Sequence, residues 1–157
     1  MSRPSRIPVW LPPDQSVVYF ITICTADRQR VLNNPQVFSA VKDYGAANPH
    51  WQTLAAVIMP DHLHALVSAL DRDARVTQFS AGLKRFVLRE VNANWKWQEG
   101  VFDRLLRREE SAESKWLYMR ENAVRAGLVP RWEDWPYYIG FRDDGGEDRR
   151  PTNDSLT

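Results

Sequence analysis

The feature that most constrains this 157-residue chain is a pair of apolar runs that meet at Pro60-Asp61. Leu54-Ala55-Ala56-Val57-Ile58-Met59 stands on one side and His62-Leu63-His64-Ala65-Leu66-Val67-Ser68-Ala69 on the other. Each has the length of a strand. Pro60 and Asp61 suit the centre of a type I turn, so the second run is expected to return beside the first as its antiparallel neighbour. Side chains alternate between the two faces of a strand, so His62 and His64 project together while Leu63 enters the core behind them. Only one other histidine, His50, occurs in the chain. Two imidazoles side by side on one sheet face make half of a metal site.

The remainder supplies partners for that hairpin. Val17 to Thr25 is dense in β-branched and aromatic residues and reads as a buried strand. Asn34-Pro35 opens a helix that runs to about Ala47, with Val37, Phe38, Val41 and Tyr44 on one face, before Asn48-Pro49 ends it. From Val76 to Asn94, Phe79, Leu83, Phe86, Val87 and Val91 recur at helical spacing, while Lys84, Arg85 and Arg89 fall largely elsewhere on the wheel. Val101–Arg107 is expected as a fourth strand. Glu109–Ala126 is expected as one long helix, acidic in its first turns and closed by Gly127 at C′. The succession strand, helix, strand, strand, helix, strand is the split-βαβ order. It predicts an α+β, ferredoxin-like fold: an antiparallel sheet with helices on one face, plus an extra C-terminal helix. If Leu63 faces the paired helices, both imidazoles face the open side.

Bulk properties bound the rest. The length suits one domain with a real core. A Pro- and Arg-rich arm is expected over 1–14, the folded domain over 15–140, and a polar, mobile tail over 141–157. Net charge is only +1, so the whole molecule is no general polyanion binder. The tail holds three arginines against five acidic residues, and any site for nucleic acid must be a local basic patch. Cys24 is the single cysteine, which excludes an internal disulfide and fits a reducing cytoplasm. No apolar run spans a bilayer and the start lacks a signal-peptide core, so no membrane partner is expected.

The last helix carries the chemistry that would complete the histidine pair. Tyr118 and Asn122 are four apart and share a helical face, separated by roughly 6 Å of rise. Aimed at the histidines, the Asn122 amide oxygen would be a third metal ligand and the Tyr118 phenol a nucleophile. A free phenol ionises near pH 10, so such a nucleophile needs help; a divalent metal that polarises a phosphate lowers the nucleophilicity required. The product, a phosphotyrosine ester, keeps the phosphodiester available for rejoining.

These residues resemble a known family. His62-Leu63-His64 matches the HUH signature (His, hydrophobic, His) of single-tyrosine transposases. Val57-Ile58-Met59-Pro60-Asp61-His62-Leu63-His64 is similar to the "viMPnHvH" strand of their subgroup associated with repetitive extragenic palindromes (REP). Tyr118 to Val129 resembles that subgroup's "Y-x-x-x-NPvRAGLV" helix, with fainter echoes at Tyr19–Thr22, Gly82–Arg85 and Trp132–Trp135. The resemblance covers about residues 15–140. It implies a metal-dependent single-stranded DNA endonuclease and strand transferase that nicks beside palindromic hairpins, forms a 5′-phosphotyrosine bond and releases a 3′-hydroxyl. Carried over, Tyr118 is the nucleophile, and His62, His64 and Asn122 hold one Mg²⁺ or Mn²⁺. The implied partner is single-stranded hairpin DNA, bound by a monomer or homodimer. One position departs: Ala123 stands where the family has Pro, and alanine, the better helix former, is expected to let the helix run on more regularly.

Candidate contacts to DNA are Lys84, Arg85, Arg89 and Arg125, expected to flank the site, with Arg3 and Arg6 in the N-terminal arm. Trp95, Trp97 and Trp135 are candidates for base stacking, though core packing suits each better. Two rival readings stand beside the nuclease. One is a domesticated, non-catalytic protein that only binds hairpin DNA. The other is a metal-dependent hydrolase that uses His62, His64 and His50 with activated water.

Overall fold

The computed structural model describes residues 17–106 and 111–141. Arg3, Arg6, Arg107 and the polar tail from residue 142 onward lie outside the described residues. Five strands, β1 (Val18–Cys24), β2 (Trp51–Ile58), β3 (His62–Ala69), β4 (Phe102–Leu105) and β5 (Tyr138–Ile139), form one sheet in the order β4-β1-β3-β2-β5. Every pairing is antiparallel. The first four strands and the helices α1 (Pro35–Ala47) and α2 (Val76–Glu90) give the expected split-βαβ arrangement. The two-residue β5, which the sequence did not signal, extends the sheet beyond β2.

Local chemistry sets most element ends. The Asn34 side chain accepts from the Val37 N–H at 2.9 Å and Pro35 takes the first helical position, so α1 begins where expected. β2 starts three residues earlier than expected, at Trp51, and reaches Ala55 through an irregularity after Thr53. α2 ends at Glu90, four residues before the expected Asn94. There Asn92 takes a left-handed φ of 50°, its N–H bonds to Arg89 O, and the Ala93 N–H bonds back to Leu88 O. Asn is one of the few side chains that tolerates this helix-ending conformation.

The sheet has a core on each side. Ile21, Ile23, Leu63, Ala65 and Val67 pack with Val37 and Val41 of α1 and Val76, Phe79, Leu83 and Val87 of α2. On the opposite side Ala55, Val57 and Leu66 pack with Trp116, Met119, Ala123 and Trp135. The face expected to be open is therefore partly covered by the C-terminal segment. In place of the one helix expected over Glu109–Ala126, the described part of that span holds two, α3 (Ala112–Met119) and the single turn α4 (Asn122–Arg125).

The hairpin reverses at Pro60-Asp61, with the Met59 N–H bonded to His62 O at 2.7 Å. Leu63 is fully buried against α1 and α2, so His62 and His64 emerge on the side of α3 and α4. A slip of one residue would bury both imidazoles and expose Leu63. Pairing of His64 with Thr22 and of His62 with Cys24 fixes the register.

Candidate active site

His62 and His64 lie with ring centres 4.8 Å apart. Each has its Nδ1 engaged from behind. For His62 the partner is Asp61 Oδ1 at 2.8 Å; a carboxylate only accepts, so Nδ1 carries the hydrogen and the Nε2 lone pair is left for a ligand bond. For His64 the partner is Thr22 Oγ1 at 2.9 Å, and with the hydrogen on Nδ1 the hydroxyl accepts it.

Asp61 is itself anchored. Its Oδ2 accepts from Arg28 Nε at 3.1 Å, and its carbonyl accepts from both the Thr25 N–H (3.0 Å) and the Thr25 hydroxyl (3.2 Å). Partial burial works against the charged carboxylate. Hydrogen bonds from His62 and Arg28 outweigh that and hold the Asp61 pKa below the ordinary carboxylate value. Arg28 reaches this position from a turn in which both Asp27 and Arg28 adopt left-handed backbone, φ 56° and 52°. Two consecutive non-glycine residues in that region mark local strain held in place by the surrounding bonds.

His64 is the more enclosed ring. Burial first, then the charges of His62, Lys115 and Arg125, push its pKa down to about 3. It is therefore neutral at physiological pH, the form that binds metal.

Tyr118 and Asn122 sit at the junction of α3 and α4. Arg120 and Glu121 separate the two helices, and the Glu121 N–H bonds to Tyr118 O at 3.3 Å, a tightened turn. The Asn122 Nδ2 donates to Met119 O at 2.7 Å, so its donor end closes the helix break and Oδ1 is the end left for a cation. Tyr118 is 60% exposed. The Arg125 guanidinium covers its ring at 4.1 Å and also donates to the Tyr118 carbonyl at 3.2 Å. Lys115 Nζ lies 5.3 Å from the Tyr118 ring centre and 4.3 Å from that of Phe20, and Phe20 stacks on His64 at 5.1 Å. An unbroken series of contacts thus joins the imidazole to the phenol on one side of the sheet.

The donor set suits a divalent cation: two imidazole nitrogens and a carboxamide oxygen are acceptable to Mn²⁺ and, less readily, Mg²⁺. Among the described residues no group of three His, Cys, Asp or Glu is gathered as a metal site. The Asn122 carboxamide is a donor of another type.

The other basic candidates fall elsewhere, not around the histidines as expected. α2 packs on the opposite side of the sheet. Arg85 and Arg89 line a cleft of about 350 Å³ there, with Tyr44, His50, Trp51 and Phe86. The Lys84 ammonium bonds to Gln98 O and Gly100 O, each at 2.9 Å, and burial lowers its pKa. Helical periodicity showed that these three residues avoid the core stripe but not which side of the sheet the helix covers. Of the four expected to flank the site, only Arg125 does. His50 pairs with Asp71 at 2.7 Å, and its carbonyl accepts from Leu70, just past the far end of β3. It is a strand length from His62, roughly 25 Å at about 3.3 Å per residue. The hydrolase reading that needed all three histidines is overturned by that separation. Trp97 and Trp135 are buried, and the Trp135 Nε1 donates to Ile58 O. Sequence reasoning gave no role to Thr22, Phe20 or Lys115; the faint family echo at Tyr19–Thr22 was the available signal for the first two, and the spacing of Lys115 and Tyr118, one helical turn apart, for the third.

No family model matches the chain. A protein of Haemophilus influenzae, provisionally named a REP-associated tyrosine transposase, is 27% identical over 143 residues, covering 80% of this chain and 81% of that one. In fold, the chain is similar to a solved structure of a REP-associated tyrosine transposase bound to a REP hairpin, with TM-score 0.67 at 18% identity over 88% of this chain and 81% of that one. It is also similar to a protein of Deinococcus radiodurans provisionally named a transposase, with TM-score 0.52 at 16% identity over 82% of this chain and 98% of that one. The resemblance drawn from the HxH strand and the Tyr118 helix is borne out: the chain is similar to REP-associated tyrosine transposases in sequence over four fifths of its length and in fold.

Proposed function

We propose that this protein is a cytoplasmic nickase and strand transferase acting on single-stranded DNA beside palindromic hairpins, through a 5′-phosphotyrosine at Tyr118. The contact series from His64 through Phe20 and Lys115 to Tyr118 supports the reading, because it links an exposed phenol to the histidine pair on one side of the sheet. In the reaction, the Tyr118 phenol gives its proton to solvent and its oxygen bonds to the scissile phosphorus. The P–O3′ bond breaks, and the departing 3′ oxygen takes a proton from solvent. The reverse attack by a 3′-hydroxyl rejoins strands without an external energy source.

His62, His64 and Asn122 would hold the divalent ion, which when bound polarises the phosphate and orients it. Asp61 and Thr22 hold the Nδ1 atoms of the two rings, so each Nε2 would be the nitrogen offered to the ion. Arg125 holds the phenol ring from one side. Arg85 and Arg89 would contact backbone phosphates remote from the nick, and Arg3 and Arg6 of the arm would add groove contacts.

A labelled single-stranded oligonucleotide carrying a hairpin and its flank tests the reading. The wild-type chain is expected to form a denaturant-resistant protein–DNA adduct with Mn²⁺ or Mg²⁺ and none with chelator. Tyr118→Phe is expected to form no adduct while binding the same hairpin. A chain that binds hairpins but yields no adduct in either metal would point to the non-catalytic binding protein instead.

A further inference from the structure

Lys115 lies against both Tyr118 and Phe20. Its ammonium lies over two rings at once, 4.3 Å from the centre of Phe20 and 5.3 Å from that of Tyr118. Phe20 is the residue stacked on His64, so the Lys115 ammonium is one ring away from the imidazole and lies against the phenol ring itself. Arg125 lies against the Tyr118 ring at 4.1 Å.

On the phosphotyrosine reading, the scissile phosphate has to meet the phenol oxygen in line with the departing 3′ oxygen while a non-bridging oxygen is held from the side. A cation lying against the phenol ring, and against the ring stacked on His64, is well placed to meet such an oxygen. In the transition state, negative charge is spread over the non-bridging oxygens, where a positioned cation stabilises it most. We propose that Lys115 is a catalytic residue, its ammonium contacting a non-bridging oxygen of the scissile phosphate during attack by Tyr118, with Arg125 as a second cation beside the phenol. The inference rests on the phosphotyrosine reading and adds a residue to it. A purely structural Lys115 would instead serve as a packing cation between two aromatic rings.

Two substitutions separate these roles. Lys115→Met keeps the unbranched stem and removes the charge; Lys115→Arg keeps the charge. In single-turnover adduct formation at saturating oligonucleotide, Lys115→Met is expected to slow the reaction by about 100-fold or more, the scale of losing one preorganised donor. Its hairpin affinity is expected to stay within about threefold, since one phosphate contact among several is lost. Lys115→Arg is expected to recover most of the rate. Sulfur placed at the non-bridging oxygen that Lys115 contacts is expected to slow the wild-type chain more than Lys115→Met. A packing role cannot produce that difference. If Lys115→Met lowers the melting temperature, Lys115→Gln is measured beside it, with the same rate loss expected. Wild-type rates in Lys115→Met, or equal sulfur effects in the two proteins, would overturn the inference. No adduct from the wild-type chain would instead remove the phosphotyrosine reading beneath it, a separate and recognisable failure.

Discussion

His62 and His64 differ in what holds the nitrogen they do not offer: a charged carboxylate for one, a hydroxyl for the other. The Asp61 bond fixes the His62 tautomer and raises the basicity of its outward nitrogen. Asp61→Ala is therefore expected to weaken Mn²⁺ binding about 10- to 100-fold by spectroscopic titration. Asp61→Asn, whose carbonyl oxygen still accepts from Nδ1, should retain most of the affinity; equal affinity in all three proteins would contradict this role. His64 makes a second prediction. In the folded chain it resists protonation until about pH 3, whereas in the unfolded chain it takes a proton near the ordinary value of about 6.5. Its contribution to stability is thus complete above about pH 6.5 and lost as pH falls toward 3. Denaturant unfolding of wild type and His64→Gln between pH 4 and 6 should differ in slope, with wild type losing up to about 1.4 kcal/mol more per pH unit. Parallel slopes would mean that the ring protonates freely when folded.

At the scale of elements, the informative feature is the break between α3 and α4. The expectation that Ala123 would let the helix continue was wrong. Alanine favours helix only weakly, and here the Asn122 side chain competes for the Met119 carbonyl. α4 then closes with Gly127 at φ 77°, its N–H bonded to Val124 O and the Leu128 N–H to Ala123 O, the paired bonds of a glycine-ended helix. Gly127 at that end was legible from its position; the break was not, because Tyr118 to Ala126 carries neither Pro nor Gly. Ala123 occupies the first turn of α4, where proline's missing N–H is tolerated. Ala123→Pro is accordingly expected to leave the melting temperature within a few degrees and adduct formation unchanged. A loss near 3 kcal/mol, the size of a mid-helix proline defect, would mean that the helix is continuous there.

At the scale of the whole molecule, strand order and hairpin register could be read from the chain because period-two alternation at His62-Leu63-His64 and the Pro60-Asp61 reversal leave few arrangements. The layer assigned to each helix could not be read that way. Amphipathic spacing in α2 and α3 is alike in kind, yet one covers the face behind the histidines and the other their own face, which is why Lys84, Arg85 and Arg89 were expected at a site they do not border. Lys115 escaped notice for a related reason: Phe20, the ring that ties it to His64, lies far away in sequence and meets it only across the sheet. These separate segments converge on one claim, that the Tyr118 oxygen attacks phosphorus beside His62 and His64. The most direct measurement is mass spectrometry of the adduct after exhaustive nuclease and protease digestion. The account predicts a residual 5′-phosphonucleotide on the peptide that contains Tyr118, with the phosphate on the phenol. The same mass on another tyrosine, serine or lysine, with Tyr118 unmodified, would contradict it.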